Sequence, residues 1–196
     1  MFRALAFFGI FLSLALASTV RAADNASAWV EQNTRTILSE IQRADLAPDD
    51  TEGQRLLAER VIIPIVDIDG IAMRAVGRPW RDVSATNQQR FIDGMETRLL
   101  DLYGAAFSQF KAADLEVLRE RLSSRGDRAI VTTRIRRPGE DWLATEFRLI
   151  ESNGQWLVLD VAVEGVSLLS SYKAQIDDKI ARIGLDATIE EVASGR

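Results

Sequence analysis

From Leu115 onward the side chains alternate with period two, and turn chemistry cuts the alternation three times, at Arg125-Gly126-Asp127, Pro138-Gly139 and Asn153-Gly154. Alternating runs divided by such turns make hairpins, because Asn-Gly and its relatives supply the positive φ that a two-residue loop needs. The spacing predicts four strands in antiparallel meander order, near Leu115 to Leu122, Arg128 to Arg136, Trp142 to Ile150 and Gln155 to Val163. In the second, Ala129, Val131, Thr133 and Ile135 share one face while Thr132, Arg134 and Arg136 share the other. The fourth is apolar on both faces, as a strand covered by helix is.

On either side of the meander the period is helical. Ala28 to Ile41 and Glu52 to Ile63 read as two helices joined by the polar link Ala47-Pro48-Asp49-Asp50, with Asp50 or Thr51 placed to cap the second. Asp67 is placed to cap a helix carrying Ile68, Ile71, Ala72 and Val76, which Gly77 and Pro79 stop. Ser84 opens the longest helix, to about Lys111, with a broad apolar stripe of Phe91, Met95, Leu99, Leu102, Tyr103, Ala106, Phe107 and Phe110. After Gly165, Leu169, Tyr172, Ile176, Ile180 and Ile183 mark another helix ended by Gly184, and Asp186 is placed to cap a short last one. Helices, then a meander, then helices is an α+β order and excludes a doubly wound parallel sheet.

The chain has 196 residues and is 47% hydrophobic, enough for one well-filled domain and too short for two ordinary ones. Residues 1–22 have the layout of a secretory signal peptide: Arg3, an apolar run from Ala4 to Ala17, then the small-residue cleavage region Val20-Arg21-Ala22. That run is short of the roughly 20 residues a membrane-spanning helix needs. The expected organisation is a signal peptide over 1–22 and a single domain over 23–196. The sequence contains no cysteine, so there is no lipid-anchor cysteine at the cleavage point and no disulfide; the core alone must hold the fold. Loss of residues 1–22 removes two arginines and no acid, so 24 minus 2 leaves 22 basic residues against 29 acidic, a net charge of −7. Such a balance disfavours nucleic acid as a partner and long residence on an anionic membrane.

Much familiar chemistry is ruled out. The sequence has no histidine, which excludes histidine-dependent triads and imidazole metal sites, and it carries neither a phosphate loop nor a dinucleotide fingerprint. Asp67 and Asp69 do not make a calcium loop, because Gly70 falls at the fourth position instead of the sixth and Arg78 replaces the closing glutamate. Asp160 and Glu164 fall on one side of the last strand if it stays regular, where a carboxylate in an apolar cavity has the raised pKa of an acid–base catalyst. A structural role or one near a headgroup is the alternative. Arg128, Arg134, Arg136, Arg137 and Arg148 cluster on and around the sheet as a solvated face, or in part as contacts for a phosphate or an acidic partner.

Three blocks carry a resemblance. Trp156 to Ile183 joins an apolar strand to an amphipathic helix through Glu164-Gly165-Val166-Ser167; Pro64 to Phe91 reads PIVDIDGIAMRAVGRPWRDVSATNQQRF; Leu99 to Phe107 reads LLDLYGAAF. Together, from about Gln32 to Val192, they resemble the MlaC/toluene-tolerance family of periplasmic phospholipid-transport proteins. The chain departs from that family in Val66, where an aromatic is common, in Pro79 before Trp80, and in Lys173, which replaces a frequent arginine. The resemblance implies a cone of nuclear-transport-factor-like or cystatin-like shape, in which helices and a four-stranded meander sheet enclose an apolar lipid cavity. It implies a periplasmic phospholipid carrier without cofactor or catalysis that maintains outer-membrane lipid asymmetry. The implied partners are an inner-membrane ABC transporter complex with an MCE-domain ring and an outer-membrane lipoprotein–porin complex.

On this reading the sheet and the helix from Ser84 to Lys111 leave an apolar pocket between them. Tyr103, in LYGAAF, and Val166, in EGVS, are the foremost lipid-binding candidates, followed by Leu143, Phe147, Val131, Leu99, Phe107 and Val163. Trp80, Trp156 and Tyr172 are read as core. Two rivals remain at this stage: an enzyme on the same kind of scaffold using Asp160 or Glu164 with Tyr103, and a periplasmic adaptor whose apolar residues are all core.

Overall fold

The computed structural model describes residues 25–104 and 113–195, so the expected signal peptide and Phe107 lie outside the described residues. The chain opens with α1 (Ala26–Ala44), whose first turn is closed by the Asn25 side chain accepting from Ser27 N at 2.8 Å. In α2 (Thr51–Val61) the cap is Asp50, which accepts from Gly53 N at 2.9 Å. A 3-10 turn (Ile63–Ile65) leads to Val66, which bridges in parallel to Val158, and Asp67 N then donates to Val158 O at 2.9 Å. Asp67 also caps α3 (Ile68–Val76) by accepting from Gly70 N at 3.0 Å, as its spacing predicts. A second 3-10 turn (Arg78–Asp82) precedes α4 (Ala85–Gly104).

The meander follows as β1 (Asp114–Leu122), β2 (Arg128–Arg136), β3 (Leu143–Ser152) and β4 (Gln155–Val163), each antiparallel to the one before. Asn153 and Gly154 both have positive φ, 53° and 80°, the backbone of a two-residue hairpin loop whose twist suits the flanking strands. The sheet has five strands where the alternation predicts four. Glu164 and Gly165, at φ 49° and 81°, make a second such loop, and Val166–Ser167 returns as β5, with Val166 opposite Val163. A two-residue strand is too short to show a period. The chain ends in α5 (Leu168–Ile183), capped by Ser167, and α6 (Leu185–Ala193).

The interior is divided. One cluster lies among the helices, built on Ile68, Ala72, Ala75, Val76, Phe91, Met95, Ile176, Ile189 and Val192. The other lies between α1 and one face of the sheet, built on Ala26, Val30, Ala129, Val131, Leu149, Trp156 and Val158. Val66 packs against both. In the helical cluster α4 meets α6 so closely at Gly94 that an added Cβ would stand 2.3 Å from Val192 O. Trp80 packs edge-on to Phe91, with ring centroids 5.8 Å apart. Among the described residues no helix is long and apolar enough to cross a membrane.

Candidate functional site

The amphipathic pattern of α1 lays Trp29, Val30, Asn33, Thr34 and Ile37 along one side of the helix, which leans over the sheet. The register shift of β4 against β3 turns both Val158 and Val161 toward it beside Phe147, and the turn after α2 brings in Ile62, Ile65 and Val66. Between them is a cavity of about 130 Å³. Among the described residues no ionisable side chain lines it. Asn33 Nδ2 donates to Trp29 O at 2.9 Å, so its donor is satisfied within the helix. Walls so largely apolar suit hydrocarbon.

The strand registers extend this surface. Val131 stands opposite Phe147, which stands opposite Val161; Thr133 faces Thr145, which faces Val163; Ile135 faces Leu143. All lie on the α1 side of the sheet. The threonine hydroxyls, both buried, pair with each other at 2.5 Å, which removes the one polar break in this strip. The strip ends at an apolar rim formed by Leu143 and Val166, 38% and 59% exposed.

Of the residues singled out by sequence, the sheet therefore gathers five on one face. Phe147 lines the cavity, Val131 is completely buried beside it, Val163 is half-buried beyond it, and Leu143 and Val166 form the rim. Leu99 is not among them: it packs against the helical cluster. Tyr103 belongs to α4, but its side chain, like all of Phe107, lies outside the described residues. The wall opposite the sheet also differs from expectation. Through Gly104, α4 packs on α2, α3 and α6, and it is α1 that covers the cavity. The contributions of Trp29, Ile37, Ile65, Val66 and Val161 were missed, although the apolar spacing of Val30, Ile37 and Ile41 and the alternation through Val161 carried the signal. Val66, one of the departures from the family pattern, is itself a wall residue.

The two carboxylates considered for acid–base work do not meet the cavity. Asp160 pairs with Arg148 on the opposite face of the sheet. It accepts from Arg148 Nη1 at 3.0 Å, Ser167 Oγ at 2.6 Å and Leu169 N at 3.0 Å, tying β3, β4 and the start of α5 together. Glu164, exposed in its hairpin loop, accepts from Ala144 N at 2.6 Å while its own N–H donates to Ala144 O at 2.9 Å. Tyr172 is a core residue, its hydroxyl pushed up in pKa by burial and eased back by the Arg98 charge.

Comparison with known proteins converges on one family. The model of the MlaC protein family matches residues 31–194. The toluene tolerance protein ttg2D of Pseudomonas putida is 26% identical over 134 residues, 67% of this chain and 62% of that protein's length. In three dimensions the chain is similar to a phospholipid-binding protein from Ralstonia solanacearum solved in complex with a phospholipid, with a TM-score of 0.76 at 23% identity over 87% of this chain and 97% of that one. That likeness shows the fold, α+β with an antiparallel sheet. With the family model spanning nearly all of the described domain, the chain belongs to the MlaC family.

Proposed function

We propose that this protein is a soluble periplasmic carrier that takes one glycerophospholipid at a time between inner- and outer-membrane complexes and so maintains outer-membrane lipid asymmetry. The observation that carries the reading is the apolar strip across β2, β3 and β4, continuous from the cavity under α1, which no ionisable side chain among the described residues lines, to the rim at Leu143 and Val166. Family membership supports the same cargo, as does the phospholipid bound by the structural neighbour. The acyl tails lie along the strip and the headgroup stays outside it, which gives little headgroup selectivity.

Energetics suit a carrier. Each methylene removed from water contributes roughly 0.8 kcal/mol, so two acyl chains gain on the order of 20 kcal/mol in gross terms. A bilayer offers nearly the same. Pocket and membrane therefore almost balance, and a docked partner tips the exchange without catalysis. A cavity of about 130 Å³ is close to the size that holds a single benzene ring. Lipid uptake therefore requires α1 and the sheet to part. Residues 1–22 act as the export signal and are removed. The partners are an inner-membrane MCE-domain ABC transporter complex and an outer-membrane lipoprotein–porin complex.

Native mass spectrometry of gently purified protein tests this directly. Phospholipid should leave with the protein, and the intact mass should lack the first 22 residues. Protein that never carries lipid would remove the proposal.

A further inference from the structure

The strand registers also map the face of the sheet turned away from α1. Successive rows across β1, β2 and β3 read Asp114–Arg136, Glu116–Arg134–Ala144, Arg119–Thr132–Glu146 and Arg121–Ile130–Arg148, with Arg128 beside Ile150 and Leu157 in the last. Six arginines thus share one face of a chain whose net charge is −5. Half of them are answered from within the sheet. Arg134 binds Glu116 at 2.7 Å, Arg136 binds Asp114 at 2.9 Å, and Arg148 binds Glu146 and Asp160 at 3.1 and 3.0 Å. Arg134 and Arg136 also stack on the ring of Trp142, at 4.4 and 4.5 Å.

The other half lie nearer the Arg125-Gly126 hairpin, where Arg148 shares a row with Arg121. Arg119, Arg121 and Arg128 are exposed, and among the described residues none forms an ion pair; Arg128 only helps to lower the pKa of Asp127 from a distance. Beside them Ile130, Ile150 and Leu157 are half-buried and belong to neither hydrophobic cluster. The helices that pack on the sheet do so elsewhere, α1 on the other face and α3 and α5 against β4. A guanidinium fork is well suited to a carboxylate, and Arg134, Arg136 and Arg148 on this face already bind carboxylates.

We infer that Arg119, Arg121 and Arg128, with Ile130, Ile150 and Leu157 between them, form a docking face for a partner protein that presents a cluster of carboxylates around a small apolar contact. The inference rests on the carrier reading above, because a shuttle must be held while its cargo passes. The face lies on the far side of the sheet from the cavity, so a docked partner leaves the lipid strip free. An acidic protein fits better than an anionic bilayer: a charged plane meets the negative charge of the whole chain, whereas a local patch meets only this face. Association through it is steered by charge and weakens as salt rises.

The test uses the full-length mature protein with a short polyglutamate peptide and, separately, vesicles of phosphatidylethanolamine and phosphatidylglycerol. The peptide should shift the amide NMR signals of Arg119 to Leu122, Arg128 to Thr132 and Ile150, with the shifts lost at high salt and in the triple variant R119E/R121E/R128E. R119A/R121A/R128A is the second variant should charge reversal disturb the fold. Neither set of changes touches the cavity, so both variants should keep their bound phospholipid by native mass spectrometry yet fail to restore the detergent barrier of cells lacking the wild-type gene. Shifts absent from those amides, or full restoration by the charge-reversed protein, would overturn the docking face. Vesicle flotation that depends on the three arginines would overturn it in favour of a membrane contact. Wild-type protein devoid of lipid would instead sink the carrier reading, leaving the peptide titration to judge the face alone.

Discussion

Arg148 and Asp160 meet across β3 and β4 at 3.0 Å, the arginine 41% exposed and the aspartate side chain only 3%. Because the buried partner also accepts from Ser167 Oγ and Leu169 N, the two ends of this pair are not equivalent. Asp160→Ala strands two donors and an arginine at once and should cost about 3 kcal/mol of folding stability. Arg148→Ala leaves the carboxylate with two of its three donors and should cost about 1 kcal/mol. Urea unfolding of the two variants checks the difference, and equal losses would refute it.

Gly94 supplies a second test, this one of the helical layer. Alanine in a helix interior is ordinarily favoured over glycine by about 1 kcal/mol. Here the new methyl would meet backbone atoms, Val192 O at 2.3 Å and Ala193 Cα at 2.7 Å, which cannot rotate aside. Gly94→Ala should therefore destabilise by roughly 2 kcal/mol despite its propensity gain, read as a lower melting temperature.

Occupying the cavity separates a carrier from a solid adaptor. Val166 is too exposed for this purpose, since a larger side chain there projects into water. Val161 lines the cavity, so Val161→Trp should fill it, keep the fold and lose co-purified phospholipid. Val131 is completely buried, and Val131→Trp should cost about 1–3 kcal/mol or more by overpacking. Native mass spectrometry with thermal melts reads both, and a Val161→Trp protein that still carries lipid would argue against this strip as the tail site.

Tyr172 gives a pH dependence with a definite sign. Burial raises its pKa above the usual 10.0, and among the described residues its hydroxyl has no hydrogen-bond partner. The folded state thus holds the proton after the unfolded chain has released it. Its contribution to stability is complete below pH 10 and is lost as pH rises toward the folded-state pKa. Tyr172→Phe removes an unsatisfied hydroxyl, so it should leave stability at pH 7 unchanged or slightly higher and flatten the decline above pH 10. Denaturation curves at neutral and alkaline pH check this.

The strands were legible because hairpin chemistry is local. The positive φ at Asn153 and Gly154 follows from the two residues themselves, and alternation in β2 puts Ala129 and Val131 on one face, which the fold buries. The helix caps Asp50 and Asp67 were legible for the same reason. What no window of sequence contains is which surface a helix face will meet. The apolar side of α1 announces that it is buried, but not that it stops short of the sheet and leaves a space beside Phe147 and Val161. Leu99 shows the converse: it lies on an apolar stripe as its spacing says, but it packs against the helical cluster and does not line the cavity. The side of the sheet that Asp160 takes depends on whether β4 stays regular, and the register shift that pairs Arg148 with Asp160 but Leu149 with Val158 has no mark in the residues.

Among the described residues, Val66 alone packs against both hydrophobic clusters. The molecule is in this sense two small interiors sharing one hinge pin. Swinging α1 off the sheet opens the interior that belongs to them and strains its contact with α2, while Phe91, Ile176 and their neighbours form the other. A protein divided that way can gape to take a greasy guest and shut again without ever coming close to unfolding.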